Sequence, residues 1–343
     1  MMTRSEIAID LAALRHNVRR LHEAAGGAEL WAVVKADAYG HGATDVAGAA
    51  LAAGAASLCV TTVREGEALR RVYPEARILA MGPLAPGEER SARAARLEVT
   101  VSAPELPGGL DVHLKVDTGM GRWGMSPHEL AAVRRGRIVG LMSHLATADE
   151  PDESFARLQM ERFGELAELF PGVPRHLANS AATLRFPEAR FDAVRCGIAL
   201  YGLSPFRDSP ARHGLEPVLS WRSVVAQVKT LEPGESTGYG REFVADRSTR
   251  IGLVPVGYGD GFRRAMTGAQ VLVDGERRRV LGRVSMDAFA VELPDGEAGA
   301  PVTLLGDGLL AEEHARHLGT INYEVTCAIR SGPDRAVRRV VDG

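Results

Sequence analysis

Short apolar segments alternate with longer segments of helical periodicity over the first 200 residues. The run 30–34 is apolar throughout, which is typical of a buried strand, and Leu11, Leu14, Val18 and Leu21 recur at helical spacing before it. The same reading predicts eight strands, at 30–34, 57–61, 77–81, 98–101, 111–116, 138–144, 176–179 and 194–200. Alternation with helices favours an α/β fold with a parallel sheet, and eight units predict a closed (β/α)8 barrel.

The segment between the fourth and fifth predicted strands departs from this alternation. Residues 102–110 contain two prolines and two glycines. A parallel crossover usually needs a dozen or more residues, so we expect the barrel helix at this place to be missing or vestigial.

The pattern changes after Tyr201. From residue 215 onward the apolar runs are short, as in strands, and Asp274-Gly275 is a hairpin signal. These runs are 224–228, 251–256, 271–273, 289–293 and 302–305, and one helix is expected at 311–317. We therefore predict a barrel at 11–210, a mostly β C-terminal domain at 215–343, and an N-terminal strand within 1–10 that joins the β domain.

Composition excludes several classes of protein. The 343 residues carry a formal net charge of −3, which gives no general attraction to nucleic acid or to anionic membranes. The three cysteines are scattered and form no C-x-x-C pair, as expected in a reducing compartment. The N-terminus lacks a signal-peptide pattern and no run reaches transmembrane length. We expect a cytoplasmic protein that binds neither nucleic acid nor membranes.

Lys35 follows the first predicted barrel strand directly, in Val33-Val-Lys-Ala-Asp-Ala-Tyr-Gly-His-Gly42. A lysine at the end of a buried strand is costly to desolvate unless it is paired or chemically used. The stretch alone allows two interpretations, a salt-bridged lysine and a Schiff-base lysine with a lowered pKa.

Other polar residues follow the remaining strands. Arg122 comes after the fifth, His144 after the sixth, Ser180 after the seventh, and Arg195 lies on the eighth. The carboxyl ends of barrel strands form one mouth, where barrel enzymes carry their active sites. This pattern predicts an enzyme that binds an anionic ligand.

A single phosphate is the expected anion. Backbone N–H groups at Gly197 and Ile198, together with the hydroxyls of Ser180 and Tyr39, resemble the donors of a phosphate site. The chain has no dinucleotide-binding or P-loop glycine motif. The histidines show no metal-ligand spacing, so no metal site is expected. A single phosphate and a strand-end lysine together point to pyridoxal phosphate.

The chain resembles alanine racemases over almost its whole length. The shared stretches occur in the family's order and include V-V-K-A-D-A-Y-G-H-G, L-K-V-D-T-G-M-G-R-W-G, V-R-C-G-I-A-L-Y-G, Y-G-R-E-F, G-R-V-S-M-D and I-N-Y-E-V-T-C. The resemblance implies a pyridoxal phosphate-dependent enzyme that interconverts L-alanine and D-alanine and supplies D-alanine for peptidoglycan.

The resemblance also assigns roles to individual residues. Lys35 would hold the cofactor covalently and act as one base, and Tyr239 would be the other base. The phosphate would lie among Tyr39, Ser180, Gly197 and Ile198; Arg195 would face the pyridine nitrogen, with His144 as its partner. Arg122 would lie near the phenolic oxygen of the cofactor and the substrate carboxylate. The backbone N–H of Met286 would bind that carboxylate, and Tyr258 would line the substrate entrance.

The resemblance further implies a homodimer in which each β domain lends its tyrosine to the partner's barrel, and a carbamylated Lys115 beside Arg122. Ser331 stands where some members have a phosphate-binding tyrosine, so Ser331 or a water replaces that phenol, or the phosphate is held less tightly. The alternatives are a racemase of serine or lysine, a barrel-type pyridoxal phosphate decarboxylase, and a protein that stores the cofactor. The last two resemble the chain less, because they lack the β domain or its motifs.

Overall fold

The computed structural model describes residues 3–134 and 136–342. The chain begins with strand β1 (Glu6–Asp10) and helix α1 (Leu11–Ala25). The Asp10 side chain caps this helix by accepting hydrogen bonds from the backbone N–H groups of Ala12 and Ala13. The apolar face predicted from the spacing of Leu14, Val18 and Leu21 is buried, which holds α1 against the rest of the fold.

Parallel strands form a closed barrel in the first part of the chain. Eight of them lie within the described residues: β2 (Glu29–Val33), β3 (Ser57–Val60), β4 (Ile78–Ala80), β5 (Glu98–Val101), β6 (Asp111–Lys115), β7 (Arg137–Met142), β8 (Arg175–His176) and β9 (Ala193–Cys196). Strand β2 pairs with both β3 and β9, which closes the ring. The predicted (β/α)8 barrel is confirmed.

Helical segments connect most of the barrel strands. They are α2 (Lys35–Tyr39), α3 (Ala43–Ala52), α4 (Val63–Val72), α5 (Glu88–Ala94), α6 (Pro127–Ala132), α7 (Ser154–Ala167) and α8 (Ser180–Arg185). In the described chain no helix lies between β5 and β6, as the two prolines and two glycines of this link predicted.

The eighth predicted strand is too long at its C-terminal end. Strand β9 ends at Cys196, and Ile198–Tyr201 form a 3-10 helix. Gly197 turns the backbone out of the extended conformation, with φ −117° and ψ −89°. The Ser180 hydroxyl accepts hydrogen bonds from the N–H groups of Gly197 and Ala199, at 3.0 and 3.4 Å, and holds this turn.

Among the described residues, the C-terminal part forms a nine-stranded sheet and a separate pair of short strands. Its strands and helices are β10 (Leu219–Val224), β11 (Gln227–Leu231), β12 (Ser236–Thr237), β13 (Phe243–Val244), β14 (Thr249–Val254), β15 (Gln270–Val273), β16 (Glu276–Leu281), β17 (Phe289–Glu292), β18 (Pro301–Leu305), α9 (Ala311–Leu318), α10 (Asn322–Cys327) and β19 (Val337–Val341). The sheet order is β11-β14-β17-β16-β15-β18-β10-β1-β19, and β12 pairs with β13 apart from it. The N-terminal strand β1 thus lies between β10 and β19.

Three details of this sheet bear on the predictions. The expected hairpin at Asp274-Gly275 joins β15 to β16, and both residues have the positive φ that the turn requires. The predicted run 224–228 is not one strand, because Val225 and Ala226 donate their backbone N–H groups to two different segments, at Ala300 and Leu253. The sequence predicted α9 but not the short α10.

No helix among residues 3–134 and 136–342 is long and apolar enough to span a membrane.

Candidate active site

Four cationic side chains lie together at the C-terminal mouth of the barrel. Lys35 follows β2, Lys115 ends β6, Arg122 lies in the loop after β6, and Arg195 lies on β9. Each of Lys35 and Lys115 experiences the charges of Arg122 and Arg195. The sequence predicted Lys35, Arg122 and Arg195 at one mouth, and the structure places their charges within range of one another.

The amine of Lys35 has a pKa below its usual range. Burial is the main cause, and the nearby charge of Arg122 adds to it. A lowered pKa leaves more of the amine uncharged near neutral pH, and the uncharged amine is the form that attacks a carbonyl and accepts a proton. Glu65 works in the opposite direction through its negative charge, but it does not form an ion pair with Lys35 in the described structure.

The turn directly after Lys35 is left-handed. Four non-glycine residues, 36–39, have φ between 51° and 56°, a conformation that costs roughly 1–2 kcal/mol for each such residue. Side-chain acceptors hold the turn, since Glu65 accepts from the N–H of Ala36 at 2.8 Å and Asp37 accepts from the N–H of Ala43 at 2.7 Å. Strain of this kind is typical of functional sites, and here it directs Tyr39 toward Gly197.

The predicted phosphate donors converge beside this turn. A side chain at Gly197 would put its Cβ 2.5 Å from the Tyr39 hydroxyl oxygen, so only glycine leaves that phenol in place. The Ser180 hydroxyl lies 3.0 Å from the Gly197 nitrogen, at the start of α8. The Tyr39 ring also packs in a tilted arrangement against the ring of Tyr201, with centroids 4.9 Å apart, which fixes Tyr39 further. Hydroxyls and N–H groups at a helix start suit a phosphate, so the residues present fit the phosphate of pyridoxal phosphate.

Arg195 is 3 % exposed and is held mainly by backbone carbonyls. Its Nη1 donates to the carbonyl of His176 at 2.6 Å, and its Nη2 donates to the carbonyls of Ser143 and Leu177 at 2.7 and 3.1 Å. Within the described residues its Nε makes no hydrogen bond to the protein, which leaves this donor for a ligand. Burial lowers the pKa of the guanidinium to about 10, so it remains a cation at neutral pH.

Two histidines neighbour this guanidinium. The Nδ1 atom of His176 lies 2.7 Å from Arg195 Nη1, whereas the Nδ1 atom of His144 lies 3.4 Å from Nη2. The resemblance names His144 as the partner of Arg195, but His176 makes the shorter contact. Burial and the charge of Arg195 hold the pKa values of both imidazoles well below their usual range, so both rings are neutral at neutral pH.

Lys115 is 6 % exposed among these cations. Burial, followed by the charges of Arg195, Arg122 and Lys35, lowers its pKa to about 8. A neutral amine attacks carbon dioxide to give a carbamate anion and one released proton. The anion would offset the surrounding positive charge, which favours the reaction at this lysine.

We therefore expect Lys115 to be carbamylated. Protein equilibrated with 13C-bicarbonate should show a carbamate carbon signal by NMR at pH 8, and the signal should disappear in Lys115→Arg and on acidification. Lys229→Arg is the matched control, because Lys229 is exposed and should leave the signal unchanged. A signal that persists in Lys115→Arg, or no signal in the wild type, contradicts the prediction.

The remaining predicted site residues lie on the β domain and are exposed. Tyr239 is 69 %, Met286 51 % and Tyr258 41 % exposed. Tyr239 lies between two glycines of positive φ, and a Cβ at either glycine would approach Arg283 to within about 3 Å. The backbone at Gly259 donates to the Met286 carbonyl at 2.8 Å, which ties the turn of Tyr258 to that of Met286. No contact within the described chain brings these three residues to Lys35.

Sequence reasoning did not single out Glu65, Glu98 or His113. Glu65 also completes a capping box with Thr62 at the start of α4. This capping-box pattern is the sequence feature from which Glu65 could have been identified. Glu98 and His113 lie on β5 and β6 and face the barrel interior, and no short motif marks them. No group of three or more histidine, cysteine or acidic side chains in the described part of the chain could hold a metal ion.

Comparisons with known proteins identify the family of the chain. The chain matches the family descriptions "Alanine racemase, N-terminal domain" over residues 9–205 and "Alanine racemase, C-terminal domain" over 218–338. It is 44 % identical to the alanine racemase of Streptomyces coelicolor, covering 96 % of this chain and 94 % of the relative, and 40 % identical to alanine racemase 1 of Bacillus subtilis, covering 94 % and 90 %. The crystal structure of the Streptomyces lavendulae alanine racemase superposes with a TM-score of 0.92 at 38 % identity, covering 100 % of this chain and 98 % of that one.

Proposed function

Because the chain belongs to the alanine racemase family, we propose that it interconverts L-alanine and D-alanine with pyridoxal phosphate as its cofactor. One observation carries the proposal. The mouth of the barrel combines an amine of lowered pKa, at Lys35, with a phosphate cradle at Tyr39 and Gly197 and a guanidinium at Arg195 that has a free donor. These are the groups that a ring with a phosphate, an aldehyde and a basic nitrogen requires.

Each part of the cofactor has a matching residue. Tyr39, Ser180 and the N–H groups of Gly197 and Ile198 would bind the phosphate, and Lys35 would bind the aldehyde carbon. Arg195 can only donate a hydrogen bond, so it would leave the ring nitrogen without a proton. When bound, pyridoxal phosphate withdraws electrons from the α-carbon of the substrate and so acidifies the α-proton.

Racemisation needs a proton acceptor on each face of the α-carbon. We assign the Lys35 amine to D-alanine and the Tyr239 hydroxyl to L-alanine, each returning a proton when the other has removed one. Arg122 and the Met286 N–H would bind the substrate carboxylate, with Tyr258 at the entrance and His144 beside Arg195. The cationic mouth favours the anionic carboxylate end of an amino acid over a neutral analogue.

The exposure of Tyr239, Met286 and Tyr258 supports a homodimer in which these residues complete the barrel site of the other subunit. A proton acceptor that is 69 % exposed is not shielded from water by its own chain. Covering this face with a second copy would supply both the shielding and the second base.

A mixed-subunit experiment tests this arrangement. Lys35→Ala and Tyr239→Phe chains should each be nearly inactive alone, and their mixed dimers should regain activity, because one site then contains both an intact lysine and an intact tyrosine. Differently tagged chains allow the mixed dimers to be purified and assayed. Mixed dimers without activity would place both bases in the same chain.

We further propose that 11–210 is the cofactor-binding unit and 215–343 the β unit, with the first ten residues belonging to the latter, as the position of β1 beside β10 supports. We also propose a cytoplasmic enzyme that supplies D-alanine for peptidoglycan. Both roles rest on the family resemblance.

A chirality-resolved assay over a panel of amino acids tests the proposed function. Alanine should be racemised fastest, ahead of serine and lysine, and purified protein should show the absorbance of bound pyridoxal phosphate. Faster turnover of serine or lysine, or release of carbon dioxide from the substrate, would replace the proposal with one of the alternatives.

A further inference from the structure

A continuous hydrogen-bonded chain runs from Arg195 through the interior of the barrel to the opposite end. Arg195 Nη1 lies 2.7 Å from His176 Nδ1, His176 Nε2 lies 2.8 Å from His113 Nδ1, and His113 Nε2 lies 2.7 Å from Glu98 Oε2. Arg77 Nε donates to the other oxygen of Glu98 at 2.7 Å. We call Arg195, His176, His113 and Glu98 the interior chain.

The two ends of the interior chain determine where the protons lie. A guanidinium can only donate, and a carboxylate can only accept. His176 Nδ1 must therefore be an acceptor, which places its proton on Nε2. That proton makes His113 Nδ1 an acceptor in turn, and places the proton of His113 on Nε2, facing Glu98. Both imidazoles are neutral Nε2–H tautomers. Along the series of hydrogen bonds that starts at Arg195, every N–H points toward Glu98.

The charge states agree with this arrangement. Burial lowers the pKa of His113 and holds that of His176 well below its usual range, which keeps both rings neutral. Burial opposes ionisation of Glu98, but hydrogen bonds from His113 and Arg77 outweigh it and lower the pKa of that carboxyl. The two ends thus carry opposite charges, separated by two oriented neutral dipoles.

A glycine makes the central contact possible. His113 lies on β6 and His176 on β8, and the two rings meet across β7, which lies between those strands. Gly140 pairs with His113, and a Cβ at this glycine would lie 2.1 Å from His113 Nδ1. The φ of Gly140 is not positive, so the backbone itself would accept alanine. The missing side chain leaves the space through which His113 reaches His176.

We propose that Glu98 is a positioning residue for the cofactor site: through His113 and His176 it fixes the hydrogen-bonding edge of Arg195, so that Nε would remain free to donate to the ring nitrogen of a bound cofactor. No carboxylate in the described chain contacts Arg195 directly. The hydrogen bonds of His176 and His113 connect the Nη1 atom of Arg195 to the carboxylate of Glu98. If His176 carried its proton on Nδ1, two donors would face each other and the guanidinium would be displaced. The role of Arg195 toward the cofactor belongs to the proposed function, on which this inference rests.

The wild-type protein with pyridoxal phosphate bound gives the first test. With 15N-labelled histidine, NMR distinguishes protonated from unprotonated ring nitrogens. His113 and His176, assigned with Phe variants, should each show a protonated Nε2 and an unprotonated Nδ1, and neither ring should be charged at neutral pH. An Nδ1–H tautomer or a charged ring at either position overturns the proposal without any change to the protein.

Variants at the far end give the second test. Glu98→Gln keeps an acceptor and should preserve the tautomers, whereas Glu98→Leu should mix the tautomers of His113 and weaken pyridoxal phosphate binding at least about tenfold through the displaced Arg195. Gly140→Ala should have the same effect as Glu98→Leu, because it displaces His113 while leaving Glu98 intact. Unchanged tautomers and cofactor affinity in both Glu98→Leu and Gly140→Ala would overturn the proposal.

The two tests separate this inference from the proposed function. If the wild type binds no pyridoxal phosphate, the proposed function fails, while the tautomers of the interior chain are still measured. If the cofactor binds and racemisation proceeds but the tautomers differ from those expected, only the inference on Glu98 fails.

Discussion

Replacing Lys35 by alanine should abolish racemisation in both directions and remove the covalent link to the cofactor. The amine of Lys35 at the mouth has a lowered pKa, with burial and Arg122 as the leading causes. In the proposal Lys35 serves both as the attachment point and as one base. Loss of a general base alone costs on the order of 10²–10⁴ in rate, and loss of the attachment point adds to that.

Borohydride trapping makes this prediction specific. The chain contains three lysines, Lys35, Lys115 and Lys229, so the reduced cofactor can be mapped among them by mass spectrometry. The label should be on Lys35 in the wild type and in Lys229→Ala, and absent in Lys35→Ala. A label on Lys115, or a Lys35→Ala variant that keeps its activity, would show that Lys35 is not the attachment point.

Replacing Tyr239 by phenylalanine should lower racemisation by on the order of 10²–10⁴ in both directions. The phenol removes the proton from one enantiomer and must return it in reverse, so its loss slows both conversions. Cofactor binding and folding should be unchanged, because Tyr239 is exposed and makes no side-chain hydrogen bond within the described residues.

Tyr73→Phe is the matched control for this change. It also removes one phenol, whose hydroxyl donates to the carbonyl of Thr44 on the outside of the barrel, and it should leave racemisation unchanged. Equal losses of racemisation activity in the two variants would mean that the effect of Tyr239→Phe is not specific to Tyr239. Full activity in Tyr239→Phe would exclude Tyr239 as a base.

The sequence was sufficient to predict the barrel because its signal is repeated. Eight apolar runs with intervening helical periodicity constrain one another, and the β5–β6 link showed its missing helix through its prolines and glycines. Local exceptions were not predictable in the same way. The left-handed turn 36–39 has no glycine to announce it, since its conformation is imposed by contacts with Glu65 and Asp37 rather than by local preference.

The site shows a similar division. Lys35, Arg122 and Arg195 could be placed together, because each follows or ends a strand of a closed barrel. The interior chain could not be predicted, since Glu98 and His113 have no characteristic spacing in the sequence. The contacts of the interior chain depend on the register of neighbouring strands and on the missing side chain of Gly140. The single-chain structure likewise leaves Tyr239 exposed, so its role depends on an arrangement between subunits that no local pattern encodes.

The most direct test of the two-base account is the exchange of the α-proton into deuterated water by Tyr239→Phe, measured for each enantiomer separately. In the wild type both enantiomers should exchange. In Tyr239→Phe, D-alanine should continue to exchange, because the Lys35 amine still removes its proton, whereas exchange of L-alanine should collapse. An equal fall for both enantiomers, or continued exchange of L-alanine, would contradict the assignment of Lys35 and Tyr239 to opposite faces of the substrate.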